Sequence, residues 1–185
     1  ELGPEEGQLR ASGPGGVRQG LARALQWLLA PAPVHAVSIA DAPALPWRGL
    51  MLDPARHSLG EGALERTLDG MAILGLNVLH LHLTDDQGVA FESRRRPRLH
   101  QLCGREGYLT VAALQRLAGA AAERGIRVVP ELDLPGHAGA LLFAYPECAA
   151  GPVPSRLPRA FGPSSYALDP TREESWALIH DLLDD

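Results

Sequence analysis

The sequence predicts an α/β protein with the parallel strand–helix repeat of a (β/α)8 TIM barrel, of which it holds three units. Two observations predict it. Three short apolar segments, Trp47-Arg-Gly-Leu-Met-Leu-Asp-Pro-Ala-Arg-His57, Asn77-Val-Leu-His-Leu-His-Leu-Thr-Asp-Asp-Gln-Gly88 and Ile126-Arg-Val-Val-Pro-Glu-Leu-Asp-Leu-Pro-Gly-His137, each end in carboxylates and histidine. The intervals between them carry apolar residues at helical spacing. Strands that are apolar along their length and polar at their C-terminal ends suit a parallel barrel, whose active site lies at the C-terminal mouth. Function is therefore to be read from those three ends.

Residues 1–14 hold three glycines and two prolines and are expected to be irregular. Gly15 to Ala30 reads as a helix, with Val17, Leu21, Ala24, Leu25 and Leu28 on one face and Pro31 and Pro33 ending it. Val34–Ile39 suits a short strand, and the segment from Asp41 to Pro46 a linker at a domain boundary. The first barrel strand is expected over Arg48–Leu52. Its helix opens with Ser58 as N-cap and Glu61 at capping-box spacing, buries Leu64, Leu68, Met71 and Leu74, and stops at Gly75. The second strand spans Asn77–Leu83, and a long loop that walls a site follows it. Thr110 caps the next helix, which carries Leu114, Leu117 and Ala121 and ends at Gly125. The third strand is Ile126–Leu132. A Pro/Gly-rich stretch runs from Pro146 to Pro170; Thr171 and Glu174 then form a second capping box for a helix carrying Trp176, Ile179 and Leu183. A closed barrel needs eight units and typically ~250 residues. The chain is thus expected either to be part of a larger enzyme or to build an open α/β sheet.

Composition narrows the chemistry. The net charge of −5 argues against nucleic acid as a partner, because phosphate binding needs a concentrated basic surface. The one basic cluster, Ser93-Arg-Arg-Arg-Pro-Arg98, lacks interleaved aromatics and reads as a solvated loop. No apolar run approaches the ~20 residues of a membrane-spanning helix. All 17 basic residues are arginine, so neither Schiff-base chemistry nor a phosphate-binding lysine is available within these residues. Cys103 and Cys148 lack CxxC spacing and read as two separate thiols, with a disulfide between them as the alternative.

Candidate site residues follow from strand geometry. Side chains at i and i+2 share a face, so His80 and His82 point one way and Leu79, Leu81 and Leu83 the other. Two histidines on one face either bind a metal or are hydrogen-bonded inside the barrel, and the Thr-Asp-Asp ending favours the second. Of Asp85 and Asp86, one is expected to face the site and the other to cap a loop or pair with an arginine. Pro135-Gly136 makes a sharp turn that throws His137 across the mouth, where Asp85 can orient its imidazole. Arg56 offers a planar fork for hydroxyls or carboxylates, or else pairs with Asp53.

These motifs resemble those of glycoside hydrolase family 20, the β-N-acetylhexosaminidases. The resemblance covers about residues 41–185. Upstream, the helix from Gly15 to Leu29 is similar to the last helix of the small α/β domain that precedes the family's barrel. The division implied is 1–40 as the C-terminal remnant of that domain and 41–185 as the N-terminal part of the catalytic barrel. The resemblance implies hydrolysis of terminal β-linked N-acetylglucosamine or N-acetylgalactosamine from glycans. The implied mechanism is retaining and substrate-assisted, the 2-acetamido oxygen attacking the anomeric carbon, with neither metal nor organic cofactor. Arg56 matches the arginine that binds sugar hydroxyls, Asp85 the aspartate that supports His137, and His137 the histidine that contacts the catalytic glutamate. Asp53 and Glu131 fall in motif positions with structural roles. The residues themselves do not fix a location, and the resemblance slightly favours an extracytoplasmic one, whether secreted, periplasmic or lysosome-like.

The family's adjacent Asp-Glu pair, in a Gly-Gly-Asp-Glu context, does not occur in the chain. Leu81 and Val89 stand where tryptophan is common. The 185 residues alone are therefore expected to be inactive, as a fragment lacking the general acid and the acetamido-orienting aspartate. Two rivals accompany this reading: a catalytically dead N-acetylhexosamine-binding module acting through Arg56, and a metal-dependent hydrolase using His80, His82, Asp133 and His137.

Overall fold

Leu79, Leu81 and Leu83 supply the apolar face of the strand at the centre of the molecule, β2 (Val78–Asp85). The structure is a computed structural model and describes residues 7–31, 38–162 and 164–185. Before β2 come helix α1 (Pro14–Leu28), strand β1 (Gly49–Leu52) and helix α2 (Glu61–Leu74). After it come β3 (Gly88–Phe91), α3 (Arg98–Cys103), β4 (Gly104–Leu109), α4 (Val111–Glu123), β5 (Arg127–Leu132), α5 (Gly139–Ala144) and α6 (Glu173–Leu183).

β2 lies between β1 and β5, parallel to both, with Met51, His80 and Val129 in register and His82 opposite Glu131. This is the arrangement of three successive strands of a (β/α)8 barrel, each of the first two followed by its helix, α2 or α4. Side-chain alternation sends the β2 leucines outward to a core that includes Leu64, Leu68 and Met71 of α2 and Ala113, Leu117 and Ala121 of α4. His80, His82 and Glu131 lie on the opposite, lumen face.

Glycine ends both barrel helices as expected. Gly75 and Gly125 take φ of 74° and 70°, in the left-handed region that L side chains avoid. Thr110 caps α4, its hydroxyl accepting from the Ala113 N–H at 3.2 Å. Leu74, by contrast, is exposed rather than part of the α2 stripe.

Several expectations need correction. Ser58 does not cap α2: the helix starts at Glu61 with Gly60 as N-cap and no side-chain cap bond. Thr171 and Glu174 form no capping box, because the Thr171 hydroxyl donates instead to Asp169, whose carboxylate also accepts the Thr171 N–H. The long loop after β2 is an ordered excursion: β3 pairs antiparallel with the end of β2, and β4 lies parallel to β3. Ser93–Arg98 is not a simple solvated loop. Arg96 pairs with Asp181 of α6 at 2.6 Å, Arg95 pairs with Asp184 at 3.3 Å, and Asp185 accepts the Arg94 and Arg95 N–H groups. Cys103 and Cys148, by contrast, are two separate free thiols as expected, both buried, and burial pushes the Cys103 thiol up to about 12. Most of the short strand expected over Val34–Ile39 lies outside the described residues.

Candidate active site

Asp85, the last residue of β2, is almost fully buried and accepts four hydrogen bonds or ion-pair contacts. Its Oδ1 takes the Asp86 N–H at 2.6 Å and faces His137 Nδ1 at 3.3 Å. Its Oδ2 meets His82 Nε2 at 2.7 Å and an Arg56 guanidinium nitrogen at 2.5 Å. Burial alone would raise the Asp85 pKa, but the bonds from His82, the Asp86 N–H and His137, with the Arg56 charge, hold it below the usual carboxylate value.

Arg56 sits in the turn after β1. The pairing with Asp53 is present, at 2.6 Å to its other terminal nitrogen, beside the contact to Asp85. Asp53 also accepts the Arg56 backbone N–H at 3.0 Å, which fixes the turn. Burial opposes the Arg56 charge, yet the Asp53 bond and the charges of Asp85, Asp53 and Asp133 outweigh it and raise its pKa. Arg105 of β4 steadies the same turn, donating to the carbonyls of Ala55 at 3.2 Å and Arg56 at 2.5 Å. Sequence reasoning missed Arg105, because nothing local ties β4 to the β1 turn.

His137 lies in the turn after β5 with φ 52°, an uncommon conformation for a non-glycine residue. Its Nδ1 is also 3.9 Å from Asp133. Nε2 makes no hydrogen bond among the described residues and is the nitrogen left for another group. Asp86 takes the second role expected of the pair: its carboxylate accepts the Gly139 N–H at 2.8 Å, anchoring the start of α5.

Below the mouth, His82 Nδ1 lies 3.0 Å from Glu131 Oε1, and His80 Nε2 lies 2.5 Å from the other Glu131 oxygen. Burial alone would lower the His82 pKa, but the bonds to Asp85 and Glu131 and the charges of Glu131 and Asp53 raise it above the ordinary histidine value. His80, His82, Asp133 and His137 do not form one ligand set. Potential ligand atoms cluster instead as His82, Asp85 and Asp133, and as Asp85, Asp86 and His137. In both groups Asp85 is already paired with Arg56, whose fixed charge opposes a second cation, and both His82 nitrogens are engaged by carboxylates. The geometry is that of a hydrogen-bonded network.

Beside Asp86 an open groove of about 320 Å³ is lined by Pro158, Ala160, Phe161, Ser165 and Tyr166 of the Pro/Gly-rich stretch. Gln87 donates to the Ala160 carbonyl at 2.9 Å and holds that stretch against the end of β2.

Three parallel strands thus bring an arginine, a buried aspartate and a histidine to one mouth. No described helix is long and apolar enough to cross a membrane. The glycosyl hydrolase family 20 catalytic-domain model matches residues 45–185. A β-hexosaminidase of Akkermansia muciniphila is 41% identical over 150 residues, covering 75% of this chain and 30% of that protein. A β-N-acetylhexosaminidase of Cellulomonas fimi is 43% identical over 119 residues, 60% of this chain and 24% of that one. Among solved structures, Flavobacterium johnsoniae chitobiase superposes with a TM-score of 0.82 at 36% identity, covering 91% of this chain and 26% of the enzyme. The chain spans less than a third of the length of these relatives. On the family match and the shared fold, the chain belongs to glycosyl hydrolase family 20 and carries part of its catalytic domain.

Proposed function

We propose that these residues serve in a β-N-acetylhexosaminidase that removes terminal β-linked N-acetylglucosamine or N-acetylgalactosamine from glycans by substrate-assisted, retaining hydrolysis. In this reading residues 1–40 close a small α/β domain and 41–185 open the barrel. The observation that carries it is the joint engagement of Asp85 by Arg56 and His137 at the C-terminal ends of adjacent strands.

Arg56 grips hydroxyls of the terminal sugar. Two of its guanidinium nitrogens hold Asp53 and Asp85, so the plane is fixed, and the N–H groups not spent on carboxylates are aimed rather than searching. Asp85 orients His137 through Nδ1, leaving Nε2 to meet the glutamic acid that protonates the leaving oxygen. That glutamate and the neighbouring acetamido-orienting aspartate belong to a motif not found in these 185 residues.

The test is hydrolysis of an aryl N-acetyl-β-glucosaminide by the longer polypeptide that carries this segment. Wild type is expected to turn over, and Arg56→Ala to lower kcat/KM about 100-fold, as loss of two charge-assisted bonds of ~1.5 kcal/mol each implies. An Arg56→Ala enzyme within threefold of wild type contradicts the assignment. The 185-residue chain alone is expected to show no turnover above buffer.

A further inference from the structure

The His80–Glu131–His82 string lies on the lumen face of the sheet, below the mouth, and the proposed mechanism does not use it. His82 is 4% exposed, so it touches no substrate. Each of its ring nitrogens faces a carboxylate oxygen, Asp85 at 2.7 Å and Glu131 at 3.0 Å. An ionised carboxylate only accepts, so an imidazole satisfies two of them only when both nitrogens carry protons. Asp85 takes further donors from the Asp86 N–H, Arg56 and His137, which keeps it ionised. A neutral His82 would turn a ring lone pair onto one of its two partners and push that side chain away.

The surrounding charges favour the same state. Asp53 and Asp133 add negative charge from the turns after β1 and β5, and Arg56 is the fixed cation among them. His80 stands on the far side of Glu131, and His137 on the far side of Asp85.

We propose that His82 is a positioning residue: a buried imidazolium clamped between Asp85 and Glu131 that keeps the Asp85 carboxylate aligned with both Arg56 and His137. The inference rests on the roles proposed above for Asp85 and His137. Its consequence is that the alignment of the mouth depends on a proton held inside the barrel. Glu131 acts one step further away, by holding that proton on His82.

The experiment measures kcat and KM of the longer enzyme between about pH 4.5 and 8.5. An inactive wild type would defeat the proposed function and leave nothing for His82 to position; an active one isolates the present claim. His82→Gln keeps one donor but no charge, and is expected to lower kcat at least tenfold on the acid side of the range, where wild-type His82 carries both protons, with the gap narrowing as pH rises and less than threefold change in KM. Glu131→Gln loosens the clamp. It is expected to keep kcat within threefold at pH 5, where His82 stays protonated without help, and to lose tenfold or more by pH 7.5, moving the alkaline limb to lower pH. A Glu131→Gln profile of the same shape as wild type, or a His82→Gln kcat within twofold of wild type on the acid side, overturns the proposal. Should His82→Gln fail to fold by thermal melting, the Glu131→Gln profile decides alone.

Discussion

Asp85 organises the mouth because four donors from four different residues converge on it. Asp85→Ala would strand the buried His82 and half of the Arg56 fork, and is expected to destabilise the fold by about 3–5 kcal/mol, read from urea unfolding. The pH dependence has a definite sign. His82 is raised, so its contribution is complete below about pH 6.5 and is lost as pH rises through the higher folded value. Asp85 is lowered, so its contribution is complete above about pH 3.9 and is lost as pH falls through the lower folded value. The pair therefore stabilises most between about pH 4 and 6.5, and His82→Gln is expected to flatten the alkaline decline of the urea midpoint. An unchanged decline in that variant would assign it to other groups. The Asp85–His137 contact and the Arg56–Asp53 pair were legible in the sequence, because both join side chains at strand ends and the turns after them, whereas the second contact of Arg56, to Asp85, was not. The His82–Glu131 pair was not. Aligning the strands on their terminal aspartates, Asp85 and Asp133, sets His82 opposite Pro130, but an irregularity after His82 moves the register by one residue.

At the scale of elements, α2 and α4 were legible because Leu64, Leu68, Met71, Leu117 and Ala121 recur at helical spacing and left-handed glycines close both helices. The capping boxes at Ser58 and Thr171 failed for local reasons. Gly60 takes the cap position of α2, and Asp169 takes both the hydroxyl and the N–H of Thr171. The short elements were hidden: β3 is four residues, all buried, and α5 is six residues with five buried, so neither shows an amphipathic period. Their placement depends on distant partners. Gly139 at the start of α5 has the Asp86 carboxylate 2.9 Å and the Asp86 Cα 3.0 Å from where a Cβ would lie, so Gly139→Ala is expected to cost about 1–3 kcal/mol by overpacking. A stability within a few tenths of wild type by denaturant unfolding would show that this contact yields freely. Arg105→Met removes both bonds to the Arg56 turn; in the longer enzyme it is expected to raise KM about fivefold or more, the equivalent of ~1 kcal/mol, with a smaller effect on kcat. A KM unchanged within twofold would mean that Asp53 alone fixes the turn.

For the whole molecule, the parallel repeat was legible from three apolar segments with polar ends, whereas the β3–α3–β4 excursion between the second and third was not. Among the described residues β1 and β5 each pair only with β2, so each presents an open edge. Met51 on the lumen face is 52% exposed, and Leu21, Leu25 and Leu28 leave an apolar stripe on α1 uncovered. Open edges and apolar faces of this kind drive association. The 185-residue chain alone is therefore expected to sediment as oligomers; a monomer with one cooperative thermal transition would contradict that. In the proposed enzyme Arg56, Asp85 and His137 form one sugar-binding mouth. The most direct test is a crystal structure of the longer enzyme with N-acetylglucosamine bound. The Arg56 guanidinium is expected within hydrogen-bond distance of the sugar's ring hydroxyls, with Asp85 still bridging Arg56 and His137; a sugar bound away from Arg56, or Asp85 swung off His137, would contradict the proposed function.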